Sequence, residues 1–199
     1  MIDPRRHSDA VQRNREPILG VLQGHVRPGD HVLELAAGSG EHAVFLAPRL
    51  GVGSWRATDP DPEARASIDG WRAVSDAPMV LPAEALGVHT GPWPAPGQVD
   101  VMVAVNLVHI SPWEATLALL DGAARVRPRV LYLYGPYRRG GAHTAPSNEQ
   151  FDRWLKARDP AFGVRDLELV VAEAEARGLR LVEVVEMPAN NLSVVFGVG

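Results

Sequence analysis

Near the end of the chain, LRLVEVVEM (179–187) and LSVVFGV (192–198) read as two strands separated only by PANN. Strands joined by about four residues pair antiparallel, because a parallel crossover needs a dozen or more. The residues before them read differently. HVLELA (31–36), SWRAT (54–58), VDVMVAV (99–105) and RVLYLY (129–134) have strand character. Between them lie stretches of helical spacing: EHAVFLAPRL (41–50), PEARASIDGWRAV (62–74) and PWEATLALLDGAARV (112–126). Such alternation predicts a parallel sheet with helices on both faces. The chain should therefore be an α/β protein whose mostly parallel sheet ends in a reversed strand.

Other elements complete this reading. EPILGVL (16–22) should be a helix, with Asn14 as its cap and Pro17 in the first turn. A short strand is expected near Ala85–Val88. Residues 135–166 form an insertion, in which Ser147 and Gln150 have capping-box spacing at the start of a helix. LELVVAEAEARG (167–178) is a helix closed by Gly178.

With 199 residues, the chain suits one domain, with the N-terminal segment 1–25 and the insertion 135–166 as lid elements. A net charge of −4 without a basic stripe argues against nucleic acid and anionic membranes as partners. No apolar run is long enough for a membrane span, and the start has no apolar signal core. Cysteine is absent, which excludes disulfides and thiol chemistry and fits a cytoplasmic protein. The histidines show no metal-ligand spacing, so no metal is expected.

VLELAAGSGEH (32–42) carries the chemistry. A strand, a glycine turn and a helix form the nucleotide-binding arrangement of open α/β sheets. Gly38 and Gly40 leave room for a ligand to approach the backbone. Asp59, at the end of the next strand, suits ribose hydroxyls, and Asp61 competes for that role. GSGEHA matches the dinucleotide fingerprint G-x-G-x-x-G/A, so an NAD-type oxidoreductase is one reading. Glu34 favours another. A carboxylate beside the turn repels a pyrophosphate and suits a cationic ligand, such as the sulfonium and α-amino groups of S-adenosylmethionine.

ELAAGSG resembles motif I of the class I S-adenosylmethionine-dependent methyltransferases, with Ala36 in place of the first glycine. More narrowly, RNREPIL, TDPDP, NLVHISPW, YGPY, SNEQFD and MPANN resemble the domain-of-unknown-function 938 family, relatives of methyltransferase-like protein 26. The resemblance implies a three-layer Rossmann-like methyltransferase fold with a seven-stranded sheet. It implies cofactor contacts at Glu34, Ala36, Gly38, Gly40 and Asp59, and at Asn106 beside the methionine part. The family often has an acidic residue at the end of the third strand, where this chain has Gly87.

His109 is the first candidate for a general base, and a structural histidine is the alternative. Tyr137 is a second catalytic candidate. Tyr134 is a candidate wall of the substrate pocket, with aromatic packing the favoured role for at least one of the two tyrosines. Asn14 would fold over the cofactor and Arg13 hold an anionic substrate, unless they are a helix cap and a solvated cation. Asn148 and Asn190 are substrate candidates, although the turn is the favoured reading for Asn190 and Asn148 is otherwise the first helical residue after Ser147. The expected function is S-adenosylmethionine-dependent methyl transfer to a small-molecule O- or N-nucleophile by a monomer or homodimer. A protein that binds the cofactor without catalysis is a further alternative.

Overall fold

The computed structural model describes residues 3–198. Four strands run parallel: β1 (His31–Leu35), β2 (Ser54–Ala57), β3 (Val101–Val105) and β4 (Val130–Pro136). β5 (Arg138–Arg139) and β6 (Ala142–His143) make a small separate hairpin. β7 (Leu179–Met187) and β8 (Asn191–Val198) complete the main sheet, in the order β2-β1-β3-β4-β8-β7. β8 lies antiparallel to both β4 and β7, as the short connection requires. This is the mostly parallel sheet with a reversed last strand that the sequence predicts.

Six strands are laddered, and a seventh position beside β2 is held by residues 80–84 through parallel bridges at Trp55–Val80 and Thr58–Glu84. Pro82, which has no N–H to donate, sits between the two bridges and limits the pairing to an edge. This segment precedes the expected strand at Ala85–Val88. Gly87 and Gly91 instead exchange hydrogen bonds across a turn.

The helices are α1 (Asp9–Leu22), α2 (Glu41–Leu50), α3 (Pro62–Val74), α4 (Trp113–Val126), α5 (Pro146–Arg158) and α6 (Leu167–Glu175). Strand alternation divides the core into two layers. Val101, Val103, Tyr132 and Val195 face Ile18, Leu22, Leu46 and Ile68 of α1, α2 and α3. Met102, Leu131, Leu133 and Phe196 face Leu119, Ala123 and Val170 of α4 and α6. The sheet is thus the middle of three layers.

α1 begins before the expected helix. Ser8 is its cap and accepts from the Val11 N–H, while Asn14 lies buried inside the helix. α5 also differs from expectation, because Ser147 is inside the helix and Ala145 precedes it without a side-chain cap. Ser147 Oγ instead accepts from Asn190 Nδ2 at 3.1 Å, tying α5 to the turn before β8.

Candidate functional site

The turn after β1 reverses through left-handed backbone at alternate residues: Ala36 (φ 51°), Gly38 (φ 58°) and Gly40 (φ 86°). The two glycines have different uses. A β-carbon on Gly38 would meet nothing within 4 Å, so open space lies beside it. A β-carbon on Gly40 would lie 2.6 Å from Ile68 Cα, so Gly40 permits close packing of α2 on α3. Asp59 secures the turn. Its Oδ2 accepts from the Gly38 N–H at 3.0 Å and its Oδ1 from the Asp61 N–H at 2.9 Å. Asp61 itself caps α3 through the Glu63 N–H and pairs with Arg6.

Glu34 is 1% exposed and lines a cavity of ≈ 160 Å³ together with Ala36, Gly38, His42, Asn106 and Ile110. One carboxylate oxygen accepts from Trp55 Nε1 at 2.8 Å. Burial pushes the carboxyl up to about 8; the Trp55 bond opposes this and the charge of Asp59 adds to it. Glu34 thus satisfies a buried indole and still reaches the cavity.

A second cavity, of ≈ 340 Å³, is lined by Arg13, Tyr134, Asn148, Phe151 and Asn191 among others. Ala10, Asn14 and Asn106 line both cavities, so the two meet at that point. Asn106 holds a left-handed conformation (φ 61°) at the end of β3, and its N–H donates to Tyr134 O of β4 at 2.7 Å. Asn14 Oδ1 lies 2.9 Å from His42 Nε2, and burial, then the nearby Arg15 charge, lower His42 to about 4. A neutral His42 donates from Nε2 to the amide oxygen, which orients Asn14 at the junction.

α1 and the residues before it roof this junction. Glu41 accepts from the Ser8 N–H and Gln12 Nε2, both at 2.8 Å. Arg6 pairs with Asp61 and Glu63, and its carbonyl accepts from Trp71 Nε1. Beyond Asn14, Ile18 and Leu22 are fully buried, so that half of α1 belongs to the core.

The other predicted residues are placed differently. His109 is 0% exposed and lines neither cavity. Its Nδ1 accepts from the Arg165 N–H at 3.2 Å, and its ring meets Tyr137 edge-on at 4.7 Å. Burial, and then the Arg165 charge, lower it to about 3. Tyr137 is equally buried, and burial raises its hydroxyl far above the usual range. Neither group lines either of the two cavities; both are held among buried neighbours. Asn148 Nδ2 donates to Thr144 Oγ1 and Asn190 O, joining α5 to the turn at the edge of the larger cavity. Asn190 (φ 58°) lies in that turn, as one of its two sequence readings expects. Gly87 lines neither cavity; the acidic residue that ends the seventh sheet position is Glu84, paired with Arg56 at 3.3 Å. Among the described residues, no group of three or more metal-ligating side chains could hold an ion, and no helix is long and apolar enough to cross a membrane.

A strand-ending carboxylate, a glycine turn and a reversed last strand are features of the class I methyltransferase fold, and solved structures agree on that fold. Human N-acetylserotonin methyltransferase in complex with S-adenosylmethionine aligns with a TM-score of 0.78 at 13% identity, over 96% of this chain and 53% of that one. An O-methyltransferase family protein from Burkholderia thailandensis aligns at 0.76 and 16%, over 96% and 58%. The S-adenosylmethionine-dependent methyltransferase SibL aligns at 0.75 and 20%, over 95% and 55%. The chain spans a little over half the length of these three proteins. The profile of the family described as "Protein of unknown function (DUF938)" matches residues 5–197, and the chain belongs to that family.

Proposed function

We propose that this protein transfers a methyl group from S-adenosylmethionine to a small-molecule O- or N-nucleophile. The observation that carries this reading is the meeting of two cavities at Asn14 and Asn106, one of them lined by Glu34 and the glycine turn. The residues fit the cofactor: Gly38 leaves open space, and Glu34 offers a carboxylate to a cation. A dinucleotide pyrophosphate would gain nothing from ionising Glu34, whereas a cationic ligand would. S-adenosylmethionine supplies an electrophilic methyl on sulfur, so the protein's work is alignment and exclusion of water.

On this reading, Glu34 neutralises positive charge in the smaller cavity, and Asn106 and Asn14 set the junction where the reactants face each other. Tyr134 and Phe151 wall the acceptor space. Among the described residues, none lining the larger cavity is His, Asp, Glu or Lys. An acceptor that attacks without losing a proton, or loses it to solvent, suits such a space.

Thermal denaturation tests the cofactor. A ligand that binds the native state at 100 times its Kd stabilises by about 2.7 kcal/mol. S-adenosylmethionine and S-adenosylhomocysteine should raise Tm, and NAD should not. The opposite pattern would replace this reading with the oxidoreductase one.

A further inference from the structure

We propose that the acceptor is a small organic anion, with a flat apolar body held in the larger cavity and its anionic group held by Arg13. This rests on the methyl-transfer reading for the acceptor's role, but the anion site can be tested without it.

Among the described residues, Arg13 is the one charged residue lining this cavity. It is exposed and makes no ion pair among the described residues; several other arginines share that, and what sets Arg13 apart is its place at the cavity. An unpaired guanidinium at a cavity in a chain of net charge −4 is a local reversal of sign. Its planar fork matches a carboxylate or a phosphate. Burial raises Tyr134 overall, and the Asn14 side chain and then the Arg13 charge offset part of that rise, so the positive charge of Arg13 is felt at an oxygen lining this cavity.

The walls give the shape of the acceptor. Pro136, Phe151 and Pro188 present apolar surface. Trp154, 51% exposed, stacks on Phe151 with ring centroids 5.7 Å apart, so aromatic surface continues from the cavity lining onto α5. The volume of ≈ 340 Å³ lies at the small end of the usual ligand-pocket range of roughly 300–1,000 Å³. The absence of His, Asp, Glu and Lys from the described lining also agrees: an anionic oxygen that attacks the sulfonium methyl forms its O–C bond as the C–S bond breaks, S-adenosylhomocysteine would leave, and no proton would have to be removed. With S-adenosylmethionine in the smaller cavity, the anion would lie between two positive charges, the guanidinium and the sulfonium.

Calorimetric titration of benzoate, phenyl phosphate and benzamide into the intact protein, with and without S-adenosylhomocysteine, tests the proposal. Benzamide has the same body without the charge. At least one anion should bind at least about tenfold more tightly than benzamide, a difference of about 1.4 kcal/mol. Comparing the two anions tells a carboxylate site from a phosphate site. Arg13→Gln should weaken the anion about tenfold, and Arg13→Lys should weaken it less. Because Arg13 is exposed and lines only the larger cavity, both variants should bind S-adenosylhomocysteine like the parent, which controls for folding. Equal binding of benzamide, binding unchanged by Arg13→Gln, or no binding of either anion would overturn the proposal. Arg13-dependent anion binding without binding of S-adenosylhomocysteine would keep the anion site and remove the methyl-transfer reading.

Discussion

Glu34 has two demands on it. Burial favours its neutral form, while a cationic ligand favours its ionised form. At pH 7, a carboxyl at about 8 is mostly protonated, so ionising it on binding should release close to one proton. Calorimetry in buffers of different ionisation enthalpy measures this release directly. Affinity should rise with pH up to about 8 and then level off, and Glu34→Gln should abolish the proton release. In the same turn, Ala36 holds a left-handed conformation that costs an L-residue roughly 1–2 kcal/mol. Ala36→Gly should relieve that strain and stabilise by about 0.5–1 kcal/mol after the extra chain entropy of glycine. Gly40→Ala should do the reverse. Its β-carbon meets the Ile68 backbone in a left-handed conformation, and a loss of roughly 2–4 kcal/mol is expected. Denaturant unfolding checks both substitutions.

At the scale of elements, α1 and the residues before it form two differently held stretches. Residues 6–12 are fastened by polar bonds to α2 and α3, with Glu41 accepting from both Ser8 and Gln12. Residues 18–22 are fastened by core packing. Glu41→Ala should therefore speed amide hydrogen exchange in residues 5–14 and leave residues 18–22 protected. Equal loosening of both stretches would contradict the division. The same element shows the limits of sequence reasoning. A buried Asn paired to a histidine 28 residues away looks, in sequence, like a helix cap. The α2 and α3 boundaries were legible because local chemistry sets them: Gly40 and Gly51 flank α2, and Asp61 with Pro62 starts α3. The seventh sheet position was not, because Pro82 breaks its pattern. The apparent capping box at Ser147 failed because the hydroxyl bonds a residue far away in sequence.

For the whole molecule, three buried groups shape the dependence of stability on pH. His42 and His109 have folded values of about 4 and 3, below their ordinary value of 6.5. The unfolded chain therefore binds two more protons at these sites between roughly pH 4 and 6.5, and stability rises with pH there. Glu34, raised from 4.5 to about 8, works in the opposite sense, since the folded chain keeps its proton between those values. The histidines outweigh it below 6.5 and it acts alone above. Stability from these groups should peak near pH 6.5 and decline toward pH 8 by at most about 1.4 kcal/mol per pH unit. Tm measured across pH 5–8 checks the peak, and Glu34→Gln should flatten the decline.

The three layers and the reversed strand were legible because alternation and loop length are properties of sequence. The glycine turn, Glu34, Asn106, Arg13 and Tyr134 were legible as candidates because they lie at strand ends or in the quoted motifs. His42 was missed. Its only signal was its position directly after the glycine turn, and its link to Asn14 depends on how α1 crosses α2. His109 follows β3 on the expected edge, but its ring turns inward, beneath a glycine whose added β-carbon would lie 2.4 Å from it.

The central claim is that the Glu34 cavity holds a sulfonium cofactor. Calorimetric titration of S-adenosylmethionine into the protein and into its Glu34→Gln variant tests it most directly. The account predicts binding to the parent, in the ~1 µM to 1 mM range usual for enzyme substrates, and weaker binding to the variant. Binding of NAD with none of S-adenosylmethionine, or equal binding to parent and variant, would contradict it.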